Sequence, residues 1–435
     1  MFKPNVNGMV QKLLISDKIR KIQQKNEPDF PREIYKYIAT LSLFVSETRQ
    51  QYIPVSRAKV KSEIFQFLEL EGHSNSELKQ ISTLLEALWH HSSHSGLEKM
   101  KELYEDMDPD QIGVPVLLGK DEFLKTFTEM LHDGNWEEIS DDELQVALEG
   151  EDVFPISLDV RFDELETMYL YKLGKVIIED KRKKWFGLVK DSVEIDAYDR
   201  VIQIIEFKDE RWYQENKKMK YYQGASGQGL HIRLFKNIPT LDVETIFPNT
   251  SPSMRNLDKI KIFAPLIGGL ATIVSKYGPL LLGADAGDTD SSVVIGLLTA
   301  LGTYMLKTYL SYQKTRENYQ TQVSKDMYFK GQANNSAAIN MVVDLSEEQE
   351  VKEALLAYAF ILVEDNHSEE SLDERIESWL GNKFGYDIDF EVDDALGKLE
   401  DLRLLSRDKN GKLSVVGTSE ALSILDDRWD KIYDY

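Results

Sequence analysis

Apolar residues along the chain fall into three kinds of pattern. Between residues 30 and 150 they recur at helical spacing. The stretches predicted as helices are Ile34–Val45, Lys59–Leu70, Leu78–Trp89, Glu98–Met107 and Asp121–Leu131. In Lys59–Leu70, Val60, Ile64, Phe65, Phe67 and Leu68 can form one core stripe. Pro109 closes the fourth helix, and His132-Asp133-Gly134-Asn135 is a polar break after the fifth.

From 153 to 250 the period changes. Lys184–Val189 and Arg200–Phe207 are rich in β-branched and aromatic residues, and Leu230–Phe235 alternates apolar and polar as a half-buried strand does. Gly224-Ala225-Ser226-Gly227-Gln228-Gly229 precedes a strand and opens no helix, so it is expected as a flexible hairpin loop rather than a dinucleotide cradle.

The third pattern lies at 260–312. Ile262–Leu282 and Val293–Leu310 each hold one charge, Lys276 and Lys307, and a polar connector, Gly283–Asp290, joins them. At 1.5 Å per residue each is long enough for most of a hydrocarbon layer about 30 Å thick. Arg255, Lys259 and Lys261 precede the pair and Lys314 and Arg316 follow it, whereas the connector holds only Asp. The expectation is a two-helix transmembrane hairpin with both termini cytoplasmic. A buried hairpin inside a globular core is the rival reading, favoured by Lys276, Pro265 and Pro279.

Helical character continues through Thr308–Lys330. Ser346-Glu347-Glu348-Gln349 fits a capping box opening a helix to about Val363. Helices Leu372–Phe384 and Val392–Leu404, a hairpin over Ser406–Val416 centred on Asn410-Gly411, and a last helix Ser419–Tyr433 complete the order expected of a winged-helix domain.

Charge refines this picture. The total is −23, unevenly spread: residues 96–170 carry 5 Lys/Arg against 22 Asp/Glu, residues 172–236 carry 15 against 10, and residues 344–435 carry 10 against 25. Such a balance opposes broad nucleic-acid binding. The absence of cysteine removes disulfides, thiolate zinc sites and cysteine nucleophiles. The N-terminus shows no apolar run after its charges, so neither a signal peptide nor a transit peptide is read there.

Several stretches resemble an uncharacterised family that includes animal transmembrane protein 143 and many bacterial and plant proteins. They include Trp185-Phe186-Gly187-Leu188, Tyr198-Asp199-Arg200-Val201, Phe235-Lys236-Asn237-Ile238-Pro239, Tyr328-Phe329-Lys330, Glu348–Tyr358, Phe390–Leu396 and Asp427-Arg428-Trp429-Asp430. The resemblance covers roughly residues 155–435. It implies a paired membrane span and no reaction; a bacterial inner membrane, or its organellar equivalent, is the expected location.

Candidate chemistry is sparse. Glu86, His90, His94 and Glu98 fall at i, i+4, i+8 and i+12 and share a face if their helix is unbroken, which suits a divalent metal; a solvated polar face is the plainer reading. Asp106-Met107-Asp108-Pro109-Asp110 hints at calcium, but Pro109 and the lack of Gly and Glu at the required places break the EF-hand pattern. Lys181, Arg182, Lys183, Lys184, Trp185 and Phe186, then Lys217, Lys218, Lys220, Tyr221 and Tyr222, mix cations with rings as a membrane interface does, and Lys259, Lys261 and Lys307 join that set. The plainer reading there is a sheet with rings inward and lysines outward. Asp393, Asp394, Glu400 and Asp401 make the would-be recognition helix acidic and turn it from DNA toward protein.

The chain is therefore expected to be a mixed α+β membrane protein. Its parts are a helical domain (1–150), a membrane-proximal α+β domain (151–255), a transmembrane hairpin (257–312), a helical connector (313–345) and a winged-helix-like domain (346–435). The expected role is a membrane-anchored scaffold or regulatory protein with no cofactor, touching the bilayer and a protein partner, through the C-terminal domain or by self-association, and no nucleic acid. An oligomeric transport or channel protein and a metal-dependent enzyme using His90 and His94 are the alternatives.

Overall fold

Helical spacing at the start of the chain yields two helices, α1 (Arg57–Leu70) and α2 (Asn75–Tyr104). In α1, Val60, Ile64 and Leu68 repeat every four residues and are buried on one face. The computed structural model describes residues 49–73, 75–149, 157–184, 189–253, 267–269, 271, 274–275, 291–364 and 367–432; the expected helix Ile34–Val45 lies outside them.

Two helices were expected where α2 runs unbroken through Ser92, Ser93 and Gly96. Its first half buries Leu78, Ile81, Leu85 and Leu88, and its far end buries Met100 and Tyr104 in a different cluster. Burial at both ends outweighs the weak helix propensity of the polar middle, which simply faces outward.

Next come α3 (Lys120–Asp133), the two-residue strand β1 (Glu137–Glu138), α4 (Asp141–Glu149), β2 (Ser157–Val160), β3 (Leu165–Lys184) and β4 (Val189–Phe207). A short helix α5 (Glu210–Glu215) and two 3-10 turns lead to β5 (Leu230–Pro239) and then β6 (Thr250–Ser253). The glycine segment is the second of these turns, Gly224–Gly227, not a hairpin loop, because α5 already occupies the connection. Gly229 keeps φ at +90°, and a Cβ there would meet the Met107 carbonyl oxygen at 2.7 Å, so this position needs glycine.

The main sheet is antiparallel in the order β1-β3-β4-β5-β7, where β7 is Gly331–Asn334. The ladder of β5 on β4 stops at Ala197, so β3 and β4 run on beyond it as a two-stranded ribbon. One sheet face buries Tyr171, Leu173, Ile202, Ile204, Ile232 and Leu234 against α2 and α3. The other buries Leu170, Val201, Ile205, Phe235 and Ile238 against α4 and the turn Val243–Ile246.

After α6 (Ser291–Lys330) and β7, helix α7 (Asn335–Val363) starts eleven residues before the expected capping box. Ser346 lies inside it, because Ala338, Ile339 and Val342 continue the apolar spacing back onto the sheet. Then α8 (Glu369–Phe384), α9 (Val392–Asp401), the hairpin β8 (Leu405–Arg407) and β9 (Leu413–Val415), and α10 (Thr418–Asp430) follow in the expected order. Asn410-Gly411 does sit in the turn, with Gly411 at φ +75°.

Membrane architecture requires correction. Among the described residues no helix is long and apolar enough to cross a membrane. The proposed second span belongs to α6, a 40-residue helix. Its apolar side chains are interrupted by Thr299, Thr303 and exposed Lys307, then give way to Lys314, Arg316, Glu317 and Lys325. Its last turns rest on the body through Met327. Of the proposed first span, Ile262–Leu282, only residues 267–269, 271 and 274–275 are described. The two-span fold class and the membrane location drawn from it are set aside; the mixed α+β character stands.

One further feature concerns how the parts join. A single core draws Ile53, Val60, Ile64, Leu68, Leu78, Ile81 and Leu85 together with Ala354–Ile361, Leu372, Ile376, Leu396, Leu399 and Leu425. The C-terminal helices thus have their apolar faces against α1 and α2. Truncating a fully buried aliphatic residue costs about 2–5 kcal/mol. Ile64→Ala should accordingly lower stability by that order, and amide protection in α1 and α9 should fall together; hydrogen exchange that opens α1 while sparing α9 would contradict the shared core.

Candidate binding cleft at the end of the sheet

A cleft of about 830 Å³ opens where β3, β4 and β5 end near Glu166, Phe207 and Gly229. On its floor the Lys120 ammonium, from the first turn of α3, donates to Glu206 Oε2 at 2.8 Å and to Thr167 Oγ1 at 3.3 Å. Thr167 donates to the same Glu206 oxygen at 2.7 Å. Phe207, Trp212 and Tyr222 supply aromatic walls, and Lys208 pairs with Glu166 beside them. Asp209 accepts from the Trp212 amide at 2.9 Å, capping α5 and fixing the indole's backbone.

Residues 111–118 form one rim. Pro115 and Leu117 line the cleft. Ile112, Val114, Val116 and Leu118 point to solvent at 106, 75, 55 and 81 % exposure. The Val116 amide donates to the Asp106 carbonyl at 2.7 Å and holds the segment down.

Lys120 and Glu166 both lean toward their charged forms. The hydrogen bond to Glu206 raises the Lys120 ammonium above its ordinary value, and that from Lys208 lowers the Glu166 carboxyl. A general acid or base at neutral pH needs shifts in the opposite directions.

Shifts toward neutrality occur elsewhere, in the buried middle of α7. Burial lifts the Glu353 carboxyl to about 7 although it accepts from Gln349 at 2.6 Å and from Lys398 at 3.3 Å. Burial also brings the Lys352 ammonium down to about 8; it donates to the carbonyls of Ile53 at 2.8 Å and Val55 at 3.3 Å. Burial pulls on Lys398 as well, yet Glu353, Glu350 and Asp394 together hold it above its usual value. These groups tie the C-terminal helices to the N-terminal segment and line no described cleft.

The residues singled out from sequence are dispersed among other partners. Because α2 is continuous, Glu86, His90, His94 and Glu98 do share its length, and the His90 and His94 rings lie 6.4 Å apart. Glu86, however, pairs with Lys61 and accepts from Ser82, His90 Nδ1 meets Glu347 Oε2 at 3.0 Å, and Glu98 pairs with Lys101 at 2.9 Å. No group of three ligands that could hold a metal ion occurs among the described residues. Asp108 and Asp110 accept from Ser336 and Asn335, both at 2.7 Å, at the start of α7, so the acidic run fastens a helix end.

In the second basic-aromatic run, Lys218 pairs with Asp163 and lies 5.4 Å from the Trp212 ring centre. Arg161 and Lys220 both lie over Tyr221, at 4.2 and 4.5 Å, and Tyr222 packs on Tyr213 at 5.3 Å. Lys217 takes a positive φ of 56° as the chain leaves α5. This run therefore contacts its own fold. The first run ends β3 at Lys181, Arg182, Lys183 and Lys184, whose side chains, like Trp185, Phe186, Lys259 and Lys261, lie outside the described residues; Lys307 is exposed on α6.

Comparison with known proteins adds one finding. Residues 198–337 contain a domain described as "Protein of unknown function (DUF3754)". That span starts on β4, takes in Trp212 and Tyr222 of the cleft, and ends at the first turn of α7. No solved structure matches the chain.

The shifted carboxyl gives a pH test. Glu353 holds its proton in the folded state up to about pH 7, against an ordinary value of 4.5. Between these values the unfolded chain releases a proton that the folded chain keeps, so stability from this group falls as pH rises through that window. Glu353→Gln should remove this slope, which is about 1.4 kcal/mol per pH unit at most. Thermal unfolding of wild type and variant from pH 4.5 to 7 reads the difference; parallel curves would show that Glu353 titrates normally.

Proposed function

We propose that the chain is a scaffold or regulatory protein that binds an extended segment of a partner protein at this cleft and catalyses no reaction there. The observation that carries the reading is the rim: four large aliphatic side chains, Ile112, Val114, Val116 and Leu118, stand exposed side by side against a cleft walled by Trp212 and Tyr222. Contiguous exposed apolar surface rimmed by polar residues is characteristic of protein contact sites. Alternation of outward side chains at period two suits a partner strand laid alongside.

Charge supports the same occupant. Lys120 is satisfied by Glu206, and Lys208 by Glu166, so the floor has little demand for a strongly charged ligand. A peptide with one aromatic or aliphatic anchor and few charges fits best, and Trp is the residue type most often found to dominate such contacts. The C-terminal helices serve less well as the contact, since their apolar faces are occupied by the shared core. The finer resemblance, to the family that includes transmembrane protein 143, we propose as common ancestry; it rests on Tyr198–Val201 and Phe235–Pro239, which lie within the DUF3754 match.

The test is selection of peptides from a displayed library on the intact chain. Selected peptides should carry an apolar anchor, and their affinity should drop at least tenfold in both Leu118→Glu and Trp212→Ala, with folding checked by circular dichroism. Peptides that bind the folded variants as well as wild type, or a library that yields no enrichment, would end the proposal.

A further inference from the structure

A second polar site lies on the sheet face opposite the Lys120 pair. Gln203 on β4 is directly across from Arg233 on β5, and His231 precedes Arg233 by two residues on the same strand. Side chains alternate along a strand and partners across a ladder share a face, so Gln203, His231 and Arg233 form one row on one surface of the sheet. Leu170, across from Gln203 on β3, and Ile205, across from His231, are its apolar neighbours.

Each of the three has polar atoms without a partner among the described residues. Gln203 is 0 % exposed, and neither its amide nitrogen nor its amide oxygen has a hydrogen-bond partner among the described residues. His231 is 6 % exposed and its Nε2 is equally unpartnered. Its ring packs edge-on against Phe207 with centres 6.0 Å apart. Arg233 is half-buried, and among the described residues no carboxylate lies within ion-pair distance of it. Buried side-chain polar atoms in folded proteins nearly always find partners, and an uncompensated guanidinium is the costliest to leave alone.

Several of the described arginines do find carboxylates. Arg161 meets Glu164 at 2.6 Å, Arg375 meets Glu364 at 2.8 Å and Arg407 meets Glu400 at 2.5 Å. In a chain of net charge −23 acids are abundant. Arg233 differs from the other arginines without a carboxylate in its place beside a fully buried amide and a buried imidazole. Burial, with the charge of Arg233 adding to it, also keeps the His231 imidazole below its ordinary value and hence neutral near pH 7, while Asp108, Asp110 and a backbone hydrogen bond with Gly227 pull the other way.

We propose that Arg233, Gln203 and His231 together form a binding site for a compact oxyanion, a phosphate group being the ligand class. The guanidinium fork donates two parallel bonds to adjacent anionic oxygens, as it does to phosphate generally. The Gln203 amide nitrogen donates to a third acceptor, and His231 Nε2 takes a hydrogen bond from the protonated oxygen of a monoanion. Its polar atoms project from the sheet face opposite the Lys120–Glu206 pair, and the site adjoins the peptide cleft at Phe207, which packs on His231.

Inorganic phosphate is the probe, with acetate and chloride at equal ionic strength as controls and the full chain throughout. Phosphate should raise the unfolding temperature of the wild type and of Arg211→Gln, an exposed cleft arginine, and should move the His231 ring resonances, assigned with His231→Gln. Arg233→Gln should lose the stabilisation, and Gln203→Leu should weaken phosphate binding severalfold. A rise with acetate as large as with phosphate identifies a carboxylate site and overturns the phosphate assignment. Absence of stabilisation in the wild type, or an undiminished effect in folded Arg233→Gln, overturns the site itself. Should Arg233→Gln not fold, unmoved His231 resonances in the wild type decide against the proposal in the same way.

Discussion

Everything around α7 depends on one buried cation. The Lys352 ammonium is 1 % exposed and bonds to the carbonyls of Ile53 and Val55, just ahead of α1. An ammonium in such surroundings is tolerable only when its donors are used, and these carbonyls would otherwise face the core unsatisfied. The Tyr52 ring lies 4.9 Å from the same nitrogen, and Gln349 Nε2 donates to the Gln51 carbonyl, so the extended run before α1 is fastened at successive residues. Fixing this run places α1 and α2 against the C-terminal helices, and α2 in turn delivers Met100 and Tyr104 to the sheet.

The sheet then separates two kinds of polar surface. Lys120, Thr167 and Glu206 satisfy one another at the strand ends, leaving shape and apolar contact to define the cleft. On the reverse side Gln203, His231 and Arg233 are held in place by register, and the Gln203 amide and His231 Nε2 have no partner among the described residues. Both surfaces use β4, and the DUF3754 match spans its end, the connection to β5 and β5 itself, so that domain carries residues of each.

How much of this could be read from the chain differs by element. α1 and α9 were legible because Val60, Ile64 and Leu68, and Val392, Ala395, Leu396 and Leu399, mark one face each. The Asn410-Gly411 turn was legible because the local conformation demands those residue types. α2 was divided in error because a polar middle says nothing about burial at both ends. The capping box at Ser346 was a local match overridden by Ala338, Ile339 and Val342, whose spacing already announced a helix. The apolar runs at 262–310 suggested a membrane pair from hydropathy, flanking charge and resemblance, and length and composition of α6 as a whole did not sustain it. The cleft escaped notice because antiparallel register, invisible locally, gathers residues 115–120, 166–167 and 206–229; the alternation of Ile112, Val114, Val116 and Leu118 was its one sequence signal. Lys352 and Glu353 gave no local sign of their role, although apolar residues all round the helix from Val351 to Ile361 marked it as buried on every side.

The bond from Lys352 to Ile53 spans 299 residues of chain, and this separation has a consequence during synthesis. Translation at about 5–20 residues per second places roughly 15 to 60 s between the appearance of Ile53 and that of Lys352. For that interval the apolar stripe of α1, with Val60, Ile64 and Leu68, has only Leu78, Ile81 and Leu85 of α2 to rest on. The core can close from its two distant ends only after just over four-fifths of these 435 residues have been made.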